Sequence, residues 1–308
     1  MSNGGEGLER HKVATSTIES RSRRRFLTAA GSLLLLTACA APETVPAVRS
    51  GFLDVSGGKL FYEIAGEGAP VVFLHGFAVD HRVWDAQFKS LAASHRVIRY
   101  DLRGFGRSSL PVGTYSHSED LLALMRHANV QKASLVGASM GGRIVLDFAL
   151  EHPQRVQALA TINPIIGGWE WSAEWLATYA PIVQAGRRGE IAAAKTIFLA
   201  HPVFAKLRTH PEAYAKLRRM VEEYSGWHFT HTDPARNLVP SALSQLRRLD
   251  MANLVISGEE DLADFQRMIL RLENEARARR QSLPGVGHMA HLEAPHRVTE
   301  TLQRFFTA

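Results

Sequence analysis

Gly137-Ala138-Ser139-Met140-Gly141 places a hydroxyl between two residues that lack side chains, each two positions away. A serine hydroxyl is a weak nucleophile unless a base takes its proton and a third group orients that base. Fourteen histidines are present, so a histidine alone says little. His288 stands apart because Gly285-Val286-Gly287 precede it, just after the β-like segment 281–283. Small residues on such a loop let an imidazole reach inward. The acid is expected on the turn after Leu254-Val255-Ile256, where Asp261 leads and Glu259, Glu260 and Asp264 compete. The implied chemistry is attack by Ser139 on an acyl carbon, with His288 carrying the proton and Asp261 holding the imidazole. Leu74-His75-Gly76-Phe77 closes an earlier apolar run, and its turn can aim the Phe77 amide at the same centre. With the Met140 amide it forms the expected two-donor oxyanion hole. His75 itself is expected to be structural.

These residues need a particular scaffold. A serine in that pattern must sit on a sharp strand-to-helix turn, so the run 134–136 is expected to be a strand and a helix is expected to start near Gly142. The helical pattern 143–151, with Ile144, Val145 and Phe148 on one side, stops at His152-Pro153. Further short apolar or β-branched runs at 71–74, 97–100, 159–162 and 254–256 read as strands, most of them buried on both faces, and 281–283 reads as a β-like segment. Ser56-Gly57-Gly58 between 52–55 and 59–64 reads as a hairpin turn. The expected fold class is α/β: a mostly parallel sheet with helices on both faces and an antiparallel hairpin at its start. Between 165 and 248 the strand rhythm gives way to helix and turn, as in Tyr214, Leu217, Val221 and Tyr224 after Pro211. Such an insertion is expected to cap the carboxyl ends of the strands. Its Trp169, Trp171, Trp175, Tyr179, Trp227 and Phe229 serve either as packing or as an apolar substrate surface.

Composition excludes other classes. The 308 residues are 45% hydrophobic and 21% charged, too balanced for disorder. Half of the formal net charge of +6 comes from residues 1–38, which hold six Lys/Arg against three Asp/Glu, so a nucleic-acid partner is not expected. No metal is expected, since no His, Cys and acidic residues stand at ligand spacing. There is no P-loop, and Gly104-Phe105-Gly106 is expected to shape a loop beside the site, so no cofactor is expected.

The first residues read as an address. Ser22-Arg23-Arg24-Arg25-Phe26-Leu27-Thr28 leads into a short apolar run through Leu36, and Leu36-Thr37-Ala38-Cys39 follows. The layout resembles a twin-arginine signal peptide ending in a lipobox. The resemblance implies a signal peptide over 1–38, lipidation of Cys39, a tether over 39–50, and an exported, periplasmic or extracytoplasmic protein anchored on a membrane. The apolar run is too short to cross a bilayer as a helix. Cys39 is the only cysteine, so no intramolecular disulfide can form.

From about Gly51 to Phe306 the chain resembles the α/β-hydrolase fold superfamily. Beyond the serine motif, the matching segments are His75-Gly76-Phe77, Asp101-Leu102-Arg103-Gly104-Phe105-Gly106-Arg107-Ser108, Gly258-Glu259-Glu260-Asp261, and Gly287-His288 followed by Glu293-Ala294-Pro295. The resemblance implies the order serine, acid, histidine, a core over 51–164 and 249–308, and a helical cap over 165–248. It also implies the capped branch of carboxylesterases, enol-lactonases, carbon–carbon bond hydrolases and cofactor-free perhydrolases. The serine argues against the haloalkane dehalogenase and epoxide hydrolase branches, which use aspartate there. The expected activity is hydrolysis of an ester, lactone or related acyl bond of a small, apolar substrate through an acyl-enzyme. Cleavage of a carbon–carbon bond by the same triad is the alternative, and a non-catalytic binding protein on this scaffold is a third.

Overall fold

A computed structural model of the chain describes residues 47–307. The signal peptide, Cys39 and most of the tether lie outside these residues. Eight strands form one sheet: β1 (Arg49–Val55), β2 (Gly58–Ala65), β3 (Pro70–Leu74), β4 (Arg96–Tyr100), β5 (Ala133–Ala138), β6 (Val156–Ile162), β7 (Ala252–Gly258) and β8 (Arg279–Leu283). The helices are α1 (Asp85–Leu91), α2 (His117–His127), α3 (Met140–Glu151), α4 (Ala173–Arg187), α5 (Ile191–Ala200), α6 (Pro211–Glu223), α7 (Trp227–Thr230), α8 (Ala263–Glu275), α9 (Ala290–Glu293) and α10 (Pro295–Thr307).

Sheet order is β1-β2-β4-β3-β5-β6-β7-β8. The opening hairpin is antiparallel and β3 through β8 run parallel. Two boundaries differ from expectation. The tether was expected to reach residue 50, but Arg49 and Ser50 already pair with Ile64 and Glu63, because backbone pairing on an edge strand needs no apolar side chain. The helix after the serine starts at Met140 instead of near Gly142, with Ser139 at its cap position. Residues that lack side chains are poor helix formers in isolation, but here packing decides.

The connection from β3 to β4 runs one way across the sheet and that from β5 to β6 runs the other. Right-handed crossovers therefore put α1 and α3 on opposite faces. The direction of the crossovers reverses between β3 and β5, which makes their carboxyl ends the switch point where open α/β sheets bind ligands. Both faces being covered, β5 is buried at all six positions. Between β6 and β7 the chain makes no further strand of the sheet but helices α4 to α7 and turns, with one isolated bridge from Ala235 to Tyr115, as the loss of strand rhythm implies.

Candidate active site

Ser139 follows β5 with φ 51° and ψ −115°, a conformation that costs about 1–3 kcal/mol and persists only when its surroundings fix it. Three backbone bonds do so. The Ser139 amide donates to the Ile162 carbonyl at 3.0 Å, and its carbonyl accepts from Ile165 at 3.0 Å and Arg143 at 3.1 Å. Gly137 and Gly141 are required by space, since a Cβ on the first would stand 2.3 Å from the Gly141 carbonyl oxygen and one on the second 2.3 Å from that of Leu74.

His288 and Asp261 meet here, with the imidazole Nδ1 donating to Asp261 Oδ2 at 2.7 Å. Both side chains are buried. The other Asp261 oxygen accepts from the Leu262 amide, and Phe265 packs on the His288 ring at 4.2 Å. The competing acids are engaged elsewhere. Glu259 accepts from Ser282 Oγ at 2.7 Å and Glu260 pairs with Lys206 at 3.0 Å. Asp264 fastens the start of α4, accepting from Trp169 Nε1 at 3.1 Å and Ser172 Oγ at 2.6 Å.

The oxyanion-hole candidates lie beside Ser139. A Cβ on Gly76 would touch Ser139 Cβ at 3.4 Å, and the turn continues through Phe77 into left-handed Ala78 (φ 59°). The Phe77 amide has no acceptor among the described residues, and Met140, as the first residue of α3, has none within its helix. His75 is buried, which lowers its pKa and keeps it neutral. Its Nδ1 donates to the Gly76 carbonyl at 2.7 Å while Nε2 accepts from the Leu102 amide at 2.9 Å, so it braces the turn. The Phe77 ring is fixed by Phe105 at 5.7 Å and by Phe198, Tyr224, His228 and Phe229 from the insertion, at 5.6 to 6.3 Å.

Ser139, Met140, Phe77 and His288 line one cavity of about 270 Å³. Trp171, Trp175 and Tyr179 form an aromatic ladder on its wall, spaced four apart and stacked at 4.3 and 5.7 Å. Phe229 and Trp169 pack or bond instead, and Trp227 stacks on His231 outside this cavity. Gly104 and Gly106 do shape a neighbouring loop: a Cβ would collide with His228 at the first and with the Asp101 carboxylate at the second. Asp80, His81 and Asp101 come together nearby. Their oxygens are occupied, because Asp101 accepts from His81 and the Arg107 amide, and Asp80 from Arg82.

Asn163 carries no signal in the sequence but ties the site together. Its Nδ2 donates to the carbonyls of Gly287 at 2.9 Å and His288 at 2.8 Å, and its Oδ1 accepts from the Gly258 amide at 3.0 Å. Glu293 holds the same loop from below, accepting from the Gly287 and Met289 amides at 2.6 and 3.0 Å. Asn163→Ala is expected to lose about 3 kcal/mol of stability in urea unfolding, from three buried hydrogen bonds at about 1 kcal/mol each. An unchanged midpoint would show that these bonds are not coupled to folding.

Fold and site together define an α/β enzyme with a serine held on a strand-to-helix turn at the sheet's switch point. A model of the α/β hydrolase fold family matches residues 69–295, and the chain belongs to that family as a hydrolase. It is similar to the dihydrolipoyllysine-residue acetyltransferase component of the acetoin cleaving system of Pseudomonas putida, 32% identical over 260 residues, 81% of this chain and 67% of that one. A fluoroacetate dehalogenase of a Burkholderia species is 34% identical over 121 residues, 37% of this chain and 40% of its own length. Among solved structures, the enol-lactonase from Burkholderia xenovorans LB400 superposes with a TM-score of 0.71 at 24% identity, over 84% of this chain and all of that one. At that identity the likeness speaks to the fold.

Proposed function

We propose that the protein is a serine hydrolase that cleaves an ester, lactone or related acyl bond of an apolar substrate through an acyl-enzyme. The observation that carries this is the strained Ser139 in one aromatic cavity with a His288 already hydrogen-bonded to buried Asp261. With Nδ1 committed to Asp261, the tautomer leaves the Nε2 lone pair to take the hydroxyl proton as Ser139 attacks the acyl carbon. The amides of Phe77 and Met140 stabilise the oxyanion, a donor of this kind being worth about 3 kcal/mol in the transition state. His288 then protonates the leaving group, and water repeats the sequence to release the acid. Asp264, three residues from Asp261, is engaged with the insertion and takes no part.

A fluorophosphonate probe is expected to label Ser139 in the wild type. Labelling that persists after Ser139→Ala would show that another hydroxyl reacts. Turnover of a vinylogous carbon–carbon substrate without turnover of simple esters would transfer the same triad to the alternative chemistry.

We further propose that the protein is exported and held on a membrane through acylated Cys39, which the Arg-Arg-Phe-Leu run and the Leu-Thr-Ala-Cys sequence support. No helix among the described residues is long and apolar enough to cross a membrane. In a bacterial host, Cys39→Ser is expected to abolish lipid labelling and release the protein from membranes. Retention of both would sink the assignment.

A further inference from the structure

We propose that the aromatic cavity holds a second recognition point, the Tyr179 hydroxyl, which donates a hydrogen bond to a neutral oxygen of the substrate, a ketone or ether oxygen separate from the scissile carbonyl. The inference rests on the acyl-enzyme reading above and narrows its substrate to acyl compounds that carry such an oxygen. Away from the reacting groups the walls are largely apolar, with Ile165, Trp171, Trp175, Phe198 and Phe204 among them. A polar atom brought against such walls is costly unless a partner is supplied. Arg143 also reaches the cavity, but its guanidinium donates to Asn237 and its Nε lies 3.5 Å from Asp147. Its charge is met within the protein, so the walls do not call for a carboxylate.

Tyr179 is half-buried, and its hydroxyl has no hydrogen-bond partner among the described residues. That oxygen keeps accessible surface, unlike the two ring nitrogens of His291, which also lack partners but are closed off. Burial raises the Tyr179 pKa to about 12, so at neutral pH the phenol is protonated and can donate. Its ring is fixed by stacking on Trp175 at 5.7 Å and by His201 at 6.4 Å, edge to face. The hydroxyl lies near enough to Tyr224 to help raise that phenol's pKa, and Tyr224 packs on Phe77 at 6.3 Å, which puts the oxygen on the inner side of α4. Tyr224 itself offers nothing to a ligand, because its hydroxyl bonds His228 Nδ1 at 2.7 Å and accepts from the His228 amide at 2.8 Å. A donor withdrawn from water without an acceptor costs free energy, and a ligand oxygen recovers it.

The place of Tyr179 along the cavity sets where the oxygen belongs. Phe265 packs on His288 at 4.2 Å and on Trp171 and Trp175 at 5.8 and 5.5 Å, so those two rings stand nearest the catalytic imidazole. Tyr179 comes four residues after Trp175, about 6 Å further along α4. In the acyl-enzyme reading the scissile carbonyl is met by the Phe77 and Met140 amides. The oxygen that Tyr179 binds therefore sits several bonds away from it.

The test uses the full chain and p-nitrophenyl esters of straight-chain acids beside matched esters in which one methylene is replaced by a carbonyl or an ether oxygen, moved stepwise along the chain. A parallel series of acetate esters carries the same replacement in the alcohol part. At one position the oxygen-bearing ester is expected to exceed the plain one about tenfold in kcat/KM, the value of one net hydrogen bond. Esters of dicarboxylic acids of the same length fall below both. Tyr179→Phe, which keeps the ring and its stacking on Trp175, brings the ratio to about one, whereas a role in packing alone would leave the ratio as it is. Equal rates at every position in both series, a ratio indifferent to Tyr179→Phe, or a carboxylate-ended ester that surpasses the others would overturn the proposal. Absence of fluorophosphonate labelling at Ser139 would sink the catalytic reading by itself. Where no ester turns over, calorimetric binding of the corresponding ethyl esters to wild-type and Tyr179→Phe protein decides the site, and equal affinities for oxygen-bearing and plain esters refute it.

Discussion

Ser139→Ala is expected to lower kcat for p-nitrophenyl ester hydrolysis by about a millionfold, leaving a residue of activity above water that the oxyanion donors and binding supply. The size follows from the geometry. Nothing else among the residues lining the aromatic cavity combines a nucleophilic hydroxyl with a neighbouring imidazole that is already oriented. Alanine should be tolerated at the turn, because the three backbone bonds that hold Ser139 involve no side-chain atom. Circular dichroism and thermal unfolding of the variant should therefore match the wild type closely. Measured with a chain-length series, a surviving rate within tenfold of the wild type would mean that the acyl-enzyme mechanism is wrong.

The second large effect separates two neighbouring acids. Asp261→Asn is expected to reduce kcat about ten-thousandfold with little change in KM, because an amide cannot hold the imidazole in the tautomer that presents a lone pair to Ser139. Asp264→Asn is expected to leave kcat within a few fold. Its cost falls on stability and on KM, since Asp264 fastens Trp169 and Ser172 at the entry to α4. Steady-state kinetics and thermal unfolding of both variants on the same substrate provide the comparison. Reversal of the two patterns would exchange the roles of these residues.

Much of this was legible before any coordinates. Short apolar runs give the parallel strands because burial on both faces leaves few residue types suitable, and Ser139 is announced by glycines whose necessity is steric. His288 was recognisable for a similar local reason. The choice between Asp261 and Asp264 was not equally open to inspection, because both follow the same strand and only a contact across 27 residues distinguishes them. Asn163 was invisible. Its partners lie 95 to 125 residues away, and a lone asparagine after a strand looks like any turn residue. The start of β1 at Arg49 was missed because edge pairing is a property of the backbone.

The ring of aromatics around Phe77 has a consequence for how such an enzyme changes over time. Four of its five members belong to the helical insertion, yet they fix the residue whose amide receives the developing negative charge. Substitutions that reshape the insertion for a new substrate therefore disturb turnover as well as fit. Adaptation to a new acyl group would have to proceed through paired changes, or through positions such as Trp171 and Tyr179 that face the cavity without touching that ring. Grafting a foreign insertion onto this sheet should yield a protein that folds and binds before it catalyses.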